Sequence, residues 1–213
     1  MRFRIMTISF LRLESPFEST NHLPQLSKGW LDELELKWAT NPWSQYDNLH
    51  YEICTKICND VYSSYKYWEQ GKTHSEFLGE LTRAQRAYFV LINFTSQVNN
   101  GGVYQFLSNL PELSIIALEA MQEVEMGQLV KDYEDVLIEF FGKFDSFEQL
   151  NARFENENLS WEERWEAFES GYEELPAAEK IEDYFYEEHY VMNFQSKLIH
   201  YVKLNAIYLF RNN

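Results

Sequence analysis

Cysteine is nearly absent from this chain: Cys54 and Cys58 are the only two among 213 residues. Two thiols four residues apart build no disulfide framework, and a reducing, cytoplasmic setting fits best. Proline (five) and glycine (eight) are also scarce, so the chain has little punctuation. No apolar run approaches the roughly 18 residues that a membrane span needs. The opening MRFRIMTISFLRL is broken by Arg12 and followed by no small-residue cleavage site. It therefore reads as an edge strand or a loose arm rather than a signal peptide. Positive charge is short as well: 18 Lys and Arg stand against 34 Asp and Glu, a formal net charge of −16. Such a balance disfavours direct binding to nucleic acid or an anionic membrane, and suits a basic partner or a solvated surface.

What is present is a core. Hydrophobic residues make up 45% of the chain and aromatic residues 17%, which excludes global disorder. Strand alternation is nearly absent after residue 13, and helical spacing recurs. Trp30, Leu31, Leu34 and Trp38 share one face behind a Ser27 cap. Asn41-Pro42 reads as a helix start, and Leu49, Ile53, Ile57 and Val61 carry that helix to about Tyr67, before a break at GKTHSE. Thr82 and Gln85 form a capping box at the head of an apolar helix through Phe89, Ile92 and Val98. Further helices are expected from Pro111 to about Val124, across GQLVKDYEDVLIEFFG, over SFEQLNARF, from Ser160 to about Tyr172, from Pro176, and from about Tyr190 to Phe210. The expected fold is all-α, a single compact domain of about nine to eleven helices over 27–213. Residues 1–26 form an N-terminal arm with room for one short strand.

One stretch interrupts the helical pattern: SQVNNGGVYQFLSN, residues 96–109. No Lys-Ser/Thr follows its glycines and helix rather than strand precedes them, so a phosphate-binding loop is disfavoured. Asn and Gly tolerate the left-handed conformation that ends a helix, and Asn caps the next one. Asn100, Gly101 and Gly102 therefore read as a tight structural corner between two core helices. Gln105 and Asn109, four apart on one face, are placed to bond its backbone groups. Residues 81–112 also resemble the DNA-mimic protein nineteen-like family. Its pattern of Val-x-Asn-Gly-Gly, an aromatic, x-Gln, two apolar positions, x and Asn is met by Val98, Asn100, Gly101, Gly102, Gln105, Phe106 and Asn109. Val103 stands where Phe is usual, and Leu110-Pro111 follows where small residues are common. The resemblance covers roughly residues 80–145 well and the acidic remainder loosely. It implies an all-helical fold and an acidic surface that imitates DNA to occupy a DNA-binding regulator. It brings no catalytic residues.

The negative charge is regional. Residues 112–190 hold 23 acidic and five basic side chains, a net −18, whereas residues 1–111 net −1 and residues 191–213 net +3. It also has helical phase. Trp161, Trp165, Phe168 and Tyr172 form a core stripe, and Glu162, Glu166, Glu169 and Glu173 repeat the same spacing about 100° round the helix. Asp132, Asp135 and Glu139 make a second row beside Leu129, Tyr133, Val136 and Phe140. These seven carboxylates are the expected partner-binding groups. No catalytic constellation, metal site or cofactor is expected: Cys54 and Cys58 lack the second ligand pair that zinc needs, and Glu187, Glu188 and His189 lack metal-ligand spacing. The expected function is that of a non-enzymatic, cytoplasmic binding protein, a monomer or homodimer. Its acidic face would engage a basic DNA-binding protein, such as a transcription regulator, and block access to DNA. An immunity or antitoxin-like protein neutralising a basic toxin or nuclease would use the same surface.

Overall fold

The computed structural model describes residues 23–26, 29–37, 39, 42–59, 67–72, 74–110, 113–141 and 175–212. The fold is all-α. Nine α-helices lie among the described residues: α1 (Trp30–Lys37), α2 (Pro42–Ile57), α3 (His74–Glu80), α4 (Arg83–Asn109), α5 (Ser114–Glu123), α6 (Gln128–Phe141), α7 (Pro176–Tyr186), α8 (Glu188–Leu204) and α9 (Ala206–Leu209). The helices expected over 146–154 and 160–172 lie outside the described residues.

Local signals fix most of the starts. Thr82 Oγ1 accepts from Gln85 N at 3.1 Å while Gln85 Oε1 accepts from Thr82 N at 3.2 Å, the reciprocal capping box read from the sequence. The same Thr82 hydroxyl donates to Tyr208 O at 2.7 Å, which ties α9 to the head of α4. Pro42 and Pro176 each open a helix, where the missing amide proton costs nothing. The helix from Pro42 is α-helical to Ile57 and widens at residues 58–59, and its expected continuation through Val61 falls on residues outside those described. Two expectations shift. The break at GKTHSE is confined to its first residues: Gly71 turns at φ +68°, and α3 already starts at His74. The helix after Pro111 starts at Ser114. The short strand expected of the arm lies at its end. Gln25–Leu26 pairs in parallel with Arg211–Asn212, and Leu23 and Leu26 are buried, so the last residues of the arm are tied to the C-terminal end.

Phe94 marks the centre of the core. Its ring meets Phe106 at 5.1 Å, Tyr133 at 5.3 Å and Phe185 at 5.8 Å between centroids, all edge-on. These partners come from the far half of α4, from α6 and from α7. α5 lies along α4 and is buried nearly throughout, from Ser114 to Met121. α2 packs on α8 at the other side.

The Asn-Asn-Gly-Gly stretch is a kink at which two helical halves of α4 meet. Only Gly101 (φ −164°, ψ 31°) and Gly102 (φ 78°, ψ 177°) leave helical geometry. The Gly102 pair of angles is open essentially to glycine alone. The kink frees the amide of Val103, which donates to Glu182 Oε1 from α7 at 2.9 Å. Gln105 and Asn109 do not bond the corner's backbone as expected. Both donate to the side-chain oxygen of Gln97, at 2.8 and 2.9 Å, bracing the two halves of α4 across the break. Gly101 leaves room for this brace, because a Cβ there would strike the Gln105 amide.

Candidate acidic docking face

α6 and α7 pack side by side. They run antiparallel: the amide of Ala177, at the start of α7, donates to Glu139 Oε2 near the end of α6 at 2.7 Å, while Tyr184 and Glu187 share a cavity with Gln128 and Leu129 at the other end. Their inner faces are apolar. Leu129, Tyr133, Val136 and Leu137 are buried from α6, as are Ala178, Ile181 and Phe185 from α7. Tyr133 is fully buried and its hydroxyl donates to Ser114 O at 3.0 Å; burial pushes the phenol well above its ordinary pKa.

The outer faces carry carboxylates. Glu179 and Asp183 lie four apart on α7, and Glu187 follows four residues later at the extended junction with α8 (φ −95°, ψ 139°); all three are exposed. At about 1.5 Å of rise per residue, the backbones of Glu179 and Asp183 stand roughly 6 Å apart along the α7 axis. Asp135 and Glu139 are exposed on α6, with Glu134 half-buried beside them. Among the described residues, Glu134, Asp135, Glu179, Asp183 and Glu187 make no ion pair. α6 and α7 hold one lysine each, Lys131 and Lys180.

The sequence-based site residues fare differently. Asp132 does not join the exposed row. It sits three residues after Leu129 and four before Val136, on the buried side of α6, at 6% exposure. Its Oδ1 accepts from Gln128 Nε2 at 3.0 Å, which offsets the loss of water. Asp135 and Glu139 are exposed as expected, but Glu139 spends one oxygen on the first turn of α7. Glu162, Glu166, Glu169 and Glu173 lie outside the described residues. The row on α7 was missed, although its signal is present in the sequence: Ala178, Ile181 and Phe185 set an apolar phase, and Glu179, Asp183 and Glu187 follow at spacing four. The role of Glu182 had no local signal, because its partner Val103 is 79 residues away.

A cavity of about 280 Å³ opens where the ends of α6 and α7 meet α8. Leu129, Tyr184 and Phe194 line it, with Gln128, Glu187 and Asn193 at its polar edge. Lys197 also reaches it and donates to the Glu125 carbonyl. Among the described residues, no group of three or more His, Cys, Asp or Glu is placed to hold a metal ion, and no helix is long and apolar enough to cross a membrane.

An all-α core braced at a glycine kink, with unpaired carboxylates on the outside of one helical pair, defines an acidic helical protein rather than a fold built around a nucleotide loop. More narrowly, the chain belongs to the DMP19-like protein family, whose model matches residues 79–205. The match bears out the resemblance carried by the Asn-Gly-Gly stretch and extends it past residue 145, through α7 and α8. No curated protein and no solved structure matches the chain.

Proposed function

We propose that this is a non-catalytic binding protein whose acidic face takes the place of DNA on the basic surface of a DNA-binding protein. The observation that carries the proposal is the set Glu179, Asp183 and Glu187, exposed and without an ion pair among the described residues, together with Asp135 on the neighbouring helix. Membership of a family named for DNA mimicry supports it. The spacing of roughly 6 Å between the backbones of Glu179 and Asp183 along the α7 axis is of the same order as the phosphate spacing of a DNA strand, whose axial rise is about 3.4 Å per nucleotide. The carboxylates repel one another in the free protein, and each like-charge pair four apart costs about 0.2–0.5 kcal/mol in an isolated helix. A basic partner relieves that repulsion and releases counterions, the mirror of protein–DNA association. Residues 142–174, rich in Glu, would extend the same charge.

The test is capture of partners from the source cell at low salt on the immobilised chain, with elution by a salt gradient. The expected result is a basic protein that binds duplex DNA and that DNA displaces from the chain. Capture of a basic toxin or nuclease that DNA does not displace would replace DNA mimicry with an immunity role.

A further inference from the structure

The sequence contains only two cysteines, and the fold brings them together. Cys54 and Cys58 lie one turn apart at the end of α2, with their sulfurs 3.5 Å apart. Both are half-buried free thiols packed against the core. A helical spacing of four places the Cα atoms about 6 Å apart along the axis, inside the usual 4.4–6.8 Å range for a disulfide; the Cβ atoms of such a pair stand about 5–6 Å apart, so closing the bridge draws the backbone at the second cysteine inward. The wider turn at residues 58–59 gives the backbone slack at the second sulfur. With no group of three ligands among the described residues, a metal site has no support here.

We propose that Cys54 and Cys58 form a peroxide-reactive dithiol, in which a hydroperoxide oxidises Cys54 and Cys58 resolves it to an intrahelical disulfide. The order follows from the two environments. The hydrogen bond shared with Cys58 holds the Cys54 thiol below its ordinary pKa; burial opposes this, and the nearby Tyr88 hydroxyl adds to the lowering. The same contact with Cys54, together with burial, pushes the Cys58 thiol up. Cys54 is thus the sulfur that ionises, and the thiolate is the nucleophile. It attacks a peroxide oxygen, an S–O bond forms, the O–O bond breaks, and the leaving hydroxide takes a proton to become water. Cys54 is then a sulfenic acid. The Cys58 sulfur attacks it, the S–S bond forms, the S–O bond breaks, and hydroxide leaves with the Cys58 proton as a second water. Two thiols and one hydrogen peroxide give one disulfide and two waters. A disulfide held within one helix turn is of the strained, readily reduced kind.

The experiment treats the reduced full chain with hydrogen peroxide. Titratable thiols in the unfolded product should fall from two to none, the intact mass should drop by two hydrogens, and the chain should stay free of inter-chain cross-links. With a dimedone trap, Cys58→Ser should accumulate label at Cys54, and Cys54→Ser should react about tenfold more slowly or less. Far-UV circular dichroism checks that the near-isosteric variants keep their helix, and the wild-type thiol count stands without them. Persistence of both thiols, a disulfide between chains, or wild-type reactivity in Cys54→Ser would overturn the proposal.

Discussion

Two neighbouring stretches of this chain use side chains in opposite ways. Residues 87–111 contain no Asp, Glu, Lys or Arg, and residues 112–190 contain 23 acidic groups. The uncharged stretch is the spine of α4, with Phe94 at its centre and a glycine kink braced by Gln97, Gln105 and Asn109. The acidic stretch supplies α6 and α7, which bury their apolar sides against that spine and leave carboxylates outside. The two meet at Glu182, whose oxygen accepts from the amide that the kink releases. Acidic groups therefore divide by task. Glu182 and Glu139 hold helix starts together, while Glu179, Asp183 and Glu187 make no ion pair among the described residues. Four other carboxylates are tied: Glu52 to Lys37 at 2.7 Å, Glu80 to Lys72 at 2.6 Å, Glu35 to Lys203 and Glu123 to Arg83, whereas Asp32 and Glu33 on α1 are exposed and make no ion pair among the described residues. What sets α6 and α7 apart is the number of exposed carboxylates without an ion pair among the described residues: Asp135 on α6, and Glu179, Asp183 and Glu187 on α7 and its C-terminal end.

The comparison breaks first at the kink. Gly102→Val forces a side chain into φ 78°, ψ 177°, and should lower unfolding free energy by about 2–3 kcal/mol in chemical denaturation. A variant as stable as wild type would show that the kink is no constraint. The inner face of α6 comes next. Tyr133→Phe removes the donor to Ser114 O and should cost about 1 kcal/mol. The buried phenol also implies a pH effect. Its raised folded pKa means that stability is intact below the unfolded value near pH 10 and is lost as pH rises beyond it. Tyr133→Phe should therefore flatten the alkaline limb of a stability–pH curve, and an unchanged limb would place the loss elsewhere. Glu182→Ala strands the Val103 amide and should cost about 1 kcal/mol, as loss of a helix cap does. The smallest effect on stability belongs to the outer face: Asp135→Asn should fall within about 0.5 kcal/mol.

Much of the fold was legible because its signals are local. The capping box at Thr82 and Gln85, the helix starts at Pro42 and Pro176, and the positive φ at the glycine pair each depend on residues within one turn. The site was less legible because it depends on what packs against what. Asp132 and Asp135 are one turn apart on an amphipathic helix, and only the placement of α5 and α7 decides that the first is buried and the second exposed. Gln105 and Asn109 were expected to serve the backbone beside them, but the kink puts Gln97 within reach instead. The pairing of Gln25–Leu26 with Arg211–Asn212 joins the two ends of the described chain, and no spacing pattern encodes such a contact.

The most direct test of the acidic face is partner binding by the triple variant Glu179→Gln, Asp183→Asn, Glu187→Gln across a salt series, with duplex DNA as competitor. Glu52→Gln, which removes a carboxylate already paired with Lys37, serves as control. Folding should survive in both. If the row stands in for phosphates, the triple variant should elute from its partner at lower salt than wild type. Its affinity should also depend less steeply on salt, because fewer charges are neutralised in the complex. The control should behave as wild type, and DNA should displace every form. Equal retention of wild type and triple variant at every salt concentration would contradict a docking role for this row and leave it a solvated surface.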